Sequence, residues 1–316
     1  MKVTCSLHVE CCPLCQQDHR HATLFNRVVE HGTVWQYHMC GNCGLVYQSP
    51  QMTDDELANY YGADYWRIQG QDRQADDAQL DLQTARAEHL LALVPDTLPV
   101  SRFLDIGCAA GCMLRVAERR FSSVVRGIEL SDPFRRSCEE SGRTVYATSQ
   151  ELLAAGEAKF DCISMSHVLE HIRRPIEFLI DLRRNLLQPQ GCYILEVPNL
   201  YAHRAFEPAH PICFNESTLR ATLAVAGFDT LAILVHHHPR AEINRPLYIA
   251  ALATPSVLAS GELDCGLPNP VQFQAHNVWL ERVKRAYVSK RGAWWRQVWK
   301  GTRVSVQTLF TSDLQF

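Results

Sequence analysis

Two cysteine pairs, a glycine turn and a pair of histidines are the residues of this chain whose types and spacing can do chemistry. Cys12-Pro13-Leu14-Cys15 and Cys40-Gly41-Asn42-Cys43 are CxxC knuckles separated by a segment of ribbon length. Each tight turn aims two thiolates at one ion, and four sulfurs complete a tetrahedral Zn2+ site with no open position. Such a site is structural, because the ion closes a fold too small to have its own core. Cys11 is a worse-spaced substitute for Cys12 and is read as a spare. No βαβ pattern surrounds either pair, which sets a redox role aside. Further on, Gly107 and Gly111 punctuate Phe103-Leu104-Asp105-Ile106-Gly107-Cys108-Ala109-Ala110-Gly111-Cys112. Glycines there let a backbone approach a ligand, and the helix that follows supplies free N–H groups. An ordinary tight βα turn has the same pattern. Glu129, about 20 residues later, stands where open α/β folds place a carboxylate that accepts hydrogen bonds from ribose hydroxyls. His167 and His171 are candidate bases, since neutral imidazole titrates near working pH. Their spacing of four puts them on one face if the segment is helical.

The elements that must position these groups follow from hydrophobic period. Residues 24–29 and 34–39 are β-like runs around His31-Gly32, so a hairpin joins the knuckles. Thr53-Asp54-Asp55-Glu56 caps a short helix, and the aromatics Tyr60, Tyr61, Tyr65 and Trp66 pack the ribbon onto the main domain. Leu82, Ala85, His89, Leu90 and Leu93 recur at helical spacing before Pro95. Strands are expected at 103–106, 123–130, 144–147, 160–166 and 191–197, with helices between them, and a helix at 219–226 precedes two strands at 230–235 and 247–253. Alternating strands and helices imply a parallel, doubly wound α/β sheet. The domain reading is a zinc ribbon at 1–50, an aromatic linker at 51–79, the α/β domain at 80–255 and an extension at 256–316.

The glycine-turn segment resembles the first motif of class I S-adenosylmethionine-dependent methyltransferases, with Ala109 where the family usually has its middle glycine. Gly127-Ile128-Glu129 resembles the acidic second motif, and Phe160-Asp161-Cys162-Ile163 the fourth strand. His167-Val168-Leu169-Glu170-His171, Gln188-Pro189-Gln190-Gly191 and Val197-Pro198-Asn199 resemble the segments that follow. The ribbon with Cys43-Gly44-Leu45-Val46-Tyr47 is similar to the front end of a bacterial subgroup that modifies sugars, surface polysaccharides or other small metabolites. The resemblance implies a seven-stranded, mostly parallel Rossmann-like sheet with S-adenosylmethionine over the carboxyl ends of its strands. It implies Gly107, Cys108 and Gly111 at the methionine portion, Asp105 supporting the turn, and Glu129 at the ribose. Thr148 and Ser149 would lie near adenine, and Met165, Ser166 and His167 beside the sulfonium. His167 is the nearer candidate base. Glu170 with His171 is the alternative seat for a divalent ion, as in some quinone-precursor O-methyltransferases. His210-Pro211-Ile212-Cys213-Phe214-Asn215 resembles the loop over the acceptor, while His203 is a further candidate there and the run His236-His237-His238 is expected as a surface turn.

Bulk properties bound the function. The chain has 316 residues and a formal net charge of -3, which argues against a general polyanion binder. Its 13 cysteines are odd in number and scattered, unlike a secreted disulfide framework. With a polar N-terminus and no apolar run of spanning length, a cytoplasmic protein is expected. Residues 281–303 interleave Arg282, Lys284, Arg285, Lys290, Arg291, Arg296, Lys300 and Arg303 with Trp294, Trp295 and Trp299. That stretch suits a helix packed on the domain, contact with an anionic membrane or lipid-linked acceptor, or a nucleic-acid contact. The expected activity is methyl transfer to a small-molecule or sugar acceptor, oxygen favoured. RNA methylation and a non-catalytic zinc-ribbon adaptor are the alternatives.

Overall fold

Alternation in the ribbon and continuous apolar runs in the main sheet assign the two halves of the molecule to different kinds of β structure. The computed structural model describes residues 5–30, 32–53, 55–57, 77–202, 206–240, 242–243 and 245–256. Residues 58–76 of the expected aromatic linker, His203 and the basic, Trp-rich stretch at 281–303 lie outside the described residues. In the ribbon, β1 (Ala22–Glu30) and β2 (Thr33–Cys40) pair antiparallel around Gly32, whose φ of +76 is available to glycine at little cost. Every second residue of β2 is buried, so Trp35, Tyr37 and Met39 share one face. β3 (Val46–Gln48) continues this sheet.

The main sheet contains β4 (Arg102–Ile106), β5 (Val124–Ile128), β6 (Thr144–Tyr146), β7 (Phe160–Ser166), β8 (Leu187–Pro198), β10 (Phe228–His236) and β11 (Tyr248–Pro255). Their order is β10-β11-β8-β7-β4-β5-β6, parallel from β8 through β6, with β11 antiparallel to both of its neighbours. This is the expected doubly wound, mostly parallel arrangement. The strand order reverses between β4 and β7, and ligands of open α/β sheets sit at such a switch point.

Successive residues of one strand feed opposite layers. Phe103, Cys162 and Ile194 meet α1 (Asp77–Leu91), α2 (Cys112–Phe121) and α3 (Asp132–Glu140) on one face. Leu104, Ile163 and Leu195 meet α5 (Pro175–Asn185), α6 (Glu216–Val225) and the cysteine end of the ribbon on the other. Each fully buried Leu or Phe contributes about 1.5–3 kcal/mol by leaving water. Cys12, Cys40 and Cys43 lie in the same apolar cluster as Leu169, Ile212 and Phe214.

Three local features refine the expected outline. α4 (Ser149–Ala154) is a short helix whose N-cap is Thr148. Gln188-Pro189-Gln190-Gly191 lies inside β8, which begins at Leu187 rather than at Gly191 and takes the stretch in at a register shift between Phe160 and Cys162 on β7. A strand of two residues, β9 (Ile212–Cys213), pairs with β3 and makes the ribbon sheet four-stranded.

Candidate active site

The turn after β4 is built from left-handed backbone. Gly107, Ala109 and Gly111 have φ of +75, +43 and +73. A Cβ at Gly107 would stand 2.6 Å from Val168 Cγ2, so the turn lies close against the segment that follows β7. Gly107 and Cys108 N–H both donate to Ile128 O, at 2.8 and 3.2 Å. The Cys108 side chain turns inward, into space that exists because residue 127 is glycine: a Cβ there would meet Cys108 Sγ at 2.6 Å. Only the main chain of Cys108 can therefore face a ligand. Gly111 caps α2 without a side-chain hydrogen bond, and the first turn of that helix leaves N–H groups beyond reach of intrahelical acceptors.

Glu129 braces the turn. Its Oε2 accepts the Ala109 N–H at 2.9 Å and its Oε1 the Ser131 N–H at 2.8 Å. Burial raises its pKa, against the pull of those donors. Below it, Ser164 Oγ donates to Asp105 Oδ1 at 2.6 Å, and burial pushes the Asp105 carboxyl up to about 7. Thr148 Oγ1 accepts the Glu151 N–H at 3.2 Å, so this hydroxyl is engaged in capping α4, and Ser149 opens that helix.

Met165 and Ser166 close β7, Met165 buried and Ser166 half-buried with an Oγ that has no hydrogen-bond partner. His167 follows with φ of +57 and is not helical. The turn at Leu169–His171 is 3-10, so His167 and His171 do not share a helical face as their spacing suggested. Instead, His167 sits between two buried carboxylates. Its Nδ1 lies 3.2 Å from Glu170 Oε1 and its Nε2 lies 3.0 Å from Glu196 Oε1, the second contact poorly aligned for a hydrogen bond. Burial disfavours the imidazolium, but the two carboxylates outweigh it and raise the pKa to about 9. Burial likewise opposes the charge on Glu170, and His167 overcomes it, holding that carboxyl at about 2. Arg86 on α1 approaches Glu196 at 3.4 Å and lies over the Tyr248 ring at 4.7 Å.

The family model for the methyltransferase domain matches residues 77–233, the span that supplies every group just described except Tyr248. A ubiquinone biosynthesis O-methyltransferase of Roseobacter denitrificans is 31% identical over 169 residues, which are 48% of this chain and 67% of that protein. One from Xanthomonas campestris pv. campestris is 30% identical over 168 residues, 50% and 62% of the two chains. The chain belongs to the class I S-adenosylmethionine-dependent methyltransferases. A crystal structure of an S-adenosylmethionine-dependent methyltransferase from Archaeoglobus fulgidus aligns over 60% of this chain and 99% of that one, at 19% identity and a TM-score of 0.48. These matches leave the ribbon of the methyltransferase outside the family model, and the chain spans about two thirds of the length of the curated relatives named.

The remaining expected residues fall into two groups. His171 Nδ1 donates to Ala209 O at 2.9 Å, and its ring meets the His210 ring edge-on at 4.6 Å. Glu170, His171 and His210 each offer a ligand atom within 4.8 Å of the others, an arrangement able to receive a cation. The sulfurs of Cys12, Cys15, Cys40 and Cys43 also lie within 4.8 Å of one another, with Cys12–Cys43 and Cys15–Cys40 at 3.5 Å. Around zinc with bonds of about 2.3 Å, tetrahedral sulfurs stand about 3.8 Å apart, so the four thiols have the right spacing. Cys11 is exposed.

His236 corrects the expected surface turn: it ends β10, is buried, and stacks against His89 at 4.7 Å and Tyr248 at 5.8 Å. The sequence reading passed over Glu196, Arg86, Tyr248 and Leu130. Glu196 carried a signal, a lone charge inside the apolar run Ile194-Leu195-Glu196-Val197. Leu130 is 71% exposed directly after Glu129, an apolar surface beside the carboxylate. Among the described residues, no helix is long and apolar enough to cross a membrane.

Proposed function

We propose that this methyltransferase transfers a methyl group from S-adenosylmethionine to a hydroxyl oxygen of a small-molecule acceptor. The observation that carries the reading is the His167 cluster: an imidazole and two buried carboxylates at the carboxyl end of β7, beside a glycine turn braced by Glu129. S-adenosylmethionine supplies a methyl carbon activated by positive sulfur, and alignment of a nucleophile behind that carbon provides much of the rate. Its parts suit the residues present. Glu129 retains lone pairs for the ribose hydroxyls, Leu130 offers an apolar face to the base, with Thr148 and Ser149 next to it, and the main chain of Gly107, Cys108 and Gly111 borders the amino-acid portion. Asp105 acts from below, on the turn, and Met165, Ser166 and His167 border the reacting end.

A hydroxyl acceptor must lose a proton as its oxygen bonds to carbon. His167 holds a proton in the arrangement described, and a cationic sulfonium beside it would lower its affinity for that proton, so that with the cofactor bound the neutral imidazole, held by Glu170 and Glu196, would take the acceptor's proton as the new C–O bond forms and the C–S bond breaks. His171 and His210 border the acceptor side. The names of the relatives, O-methyltransferases of ubiquinone biosynthesis, support oxygen as the acceptor atom. Zinc held by Cys12, Cys15, Cys40 and Cys43 completes the ribbon.

Calorimetric titration of zinc-loaded protein with S-adenosylmethionine, followed by transfer of labelled methyl to catechols and to sugar nucleotides, tests the reading. Binding and label on an oxygen are expected. No binding, or label only on nitrogen, carbon or RNA, overturns it.

A further inference from the structure

The ribbon sheet takes its outer strand, β9, from the stretch that follows β8 in the methyltransferase sheet. Residues 207–211 of that stretch are gripped from one side by two ribbon side chains. Tyr37 Oη donates to Glu207 O at 2.6 Å. Gln48 Nε2 donates both to Pro208 O at 2.8 Å and to Tyr37 Oη at 2.7 Å, and the Gln48 main-chain N–H donates to Pro211 O at 2.8 Å. Both amide hydrogens of Gln48 and the hydroxyl hydrogen of Tyr37 are thereby committed. The two residues are fully enclosed, at 1% and 0% exposure, so a missing partner would leave a desolvated polar atom behind. Phe206 adds an apolar contact, its ring 4.5 Å from that of Tyr37.

The opposite side of the same five residues faces the site. Ala209 O takes the His171 Nδ1–H, and the His210 ring stands edge-on to His171. A carbonyl can only accept, so this hydrogen bond places the proton of neutral His171 on Nδ1 and makes Nε2 the atom able to accept a proton or bind a cation.

We propose that Tyr37 and Gln48 are positioning residues for the acceptor-side histidines: they hold residues 207–211 so that Ala209 O sets the tautomer of His171 and His210 is placed against it. The ribbon is then part of the framework of the active site. Calling that side the acceptor side rests on the proposed function; the positioning itself does not.

The test uses full-length, zinc-loaded protein carrying Tyr37→Phe or Gln48→Ala. Backbone hydrogen exchange over residues 206–213 and the imidazole resonances of His171 and His210 are compared with the unsubstituted chain, alongside S-adenosylmethionine affinity. Loss of one ordinary hydrogen bond predicts exchange about five-fold faster in that stretch, with both imidazole resonances shifted and cofactor affinity unchanged. Unaltered exchange and resonances in both variants overturn the proposal. So does loosening spread over both sheets with affinity lost, which is the signature of a merely structural role. Should Gln48→Ala fail to fold, Tyr37→Phe, which removes a single oxygen, decides. Failure to methylate any hydroxyl acceptor would sink the proposed function and leave these readouts standing.

Discussion

Glu129→Gln separates cofactor binding from folding. Each carboxylate oxygen of Glu129 receives one main-chain N–H, from Ala109 and from Ser131. An amide of the same shape has one oxygen, so whichever way it is turned, one N–H faces an NH2 group. The lost interaction is a hydrogen bond to a charged acceptor, worth about 1.5–3 kcal/mol. If the loss falls on the shape of the cofactor turn, the affinity for S-adenosylmethionine drops about 10- to 150-fold. Stability should not fall in step, because burial raises the Glu129 pKa in the folded chain: the ionised side chain is held at a cost that the neutral amide does not bear. Calorimetric titration with S-adenosylmethionine and with S-adenosylhomocysteine gives the affinities, and thermal melts of the free protein give the stability. Both ligands carry the same ribose, so both should weaken alike. Affinity equal to that of the unsubstituted chain, or a loss for the sulfonium ligand alone, would refute the role assigned to Glu129.

Asp105 gives a pH prediction of definite sign. Its folded pKa of about 7 lies above the roughly 3.9 of an aspartate in water, so its contribution to stability is complete below about pH 4 and drains away as pH rises toward 7, an effect on the order of 4 kcal/mol. Asp105→Asn keeps an acceptor for Ser164 and removes this dependence, so urea melts at about pH 5 and pH 8 should show the variant gaining on the parent at the higher pH; a parent that gains instead contradicts the burial argument. His167→Ala leaves Glu170 and Glu196 facing each other without their shared cation, at a cost of about 3–5 kcal/mol, and adding Glu170→Gln should restore part of it in the same melts. Loss of turnover in His167→Ala alone is therefore no proof of a base, and recovery of stability without turnover in the double variant would be the informative result. Cys43→Ser should abolish binding of about one zinc per chain by metal analysis and lower the melting transition of the whole protein, since Cys43 shares its apolar cluster with Ile212 and Phe214; a zinc-free parent would remove the metal from the account.

The sheet was legible because its signals are local. Apolar runs mark β4, β5 and β7, the first two punctuated by Gly107 and Gly127, and the handedness of parallel crossovers leaves few ways to order them. What stayed hidden depends on contacts between distant residues. Arg86 and Glu196, 110 positions apart in the chain, come together as a charge pair inside the core, and no periodicity announces it. β9 is two residues long and has strand geometry only because β3 lies alongside. His167 and His171 would share a face only in a helix, and none forms across them, because His167 turns left-handed at the end of a strand; spacing alone does not reveal the direction of one backbone dihedral.

Ala109 shows how this molecule handles such turns. An L-residue in left-handed backbone costs about 1–2 kcal/mol, and the family pattern avoids that cost with glycine. Here the strained peptide is held from both sides: its N–H by Glu129 Oε2, and its carbonyl by the thiol of Cys138 on α3 at 3.3 Å. Strain persists where the surroundings over-determine it. The missing glycine thus moves the burden of shaping the turn onto Glu129, which braces the loop in addition to the part proposed for it at the ribose. The same economy operates at His171, where a carbonyl fixes the tautomer and the ribbon fixes the carbonyl. In both places the chemical group is set by a neighbour, and the neighbour by an element far away in the chain.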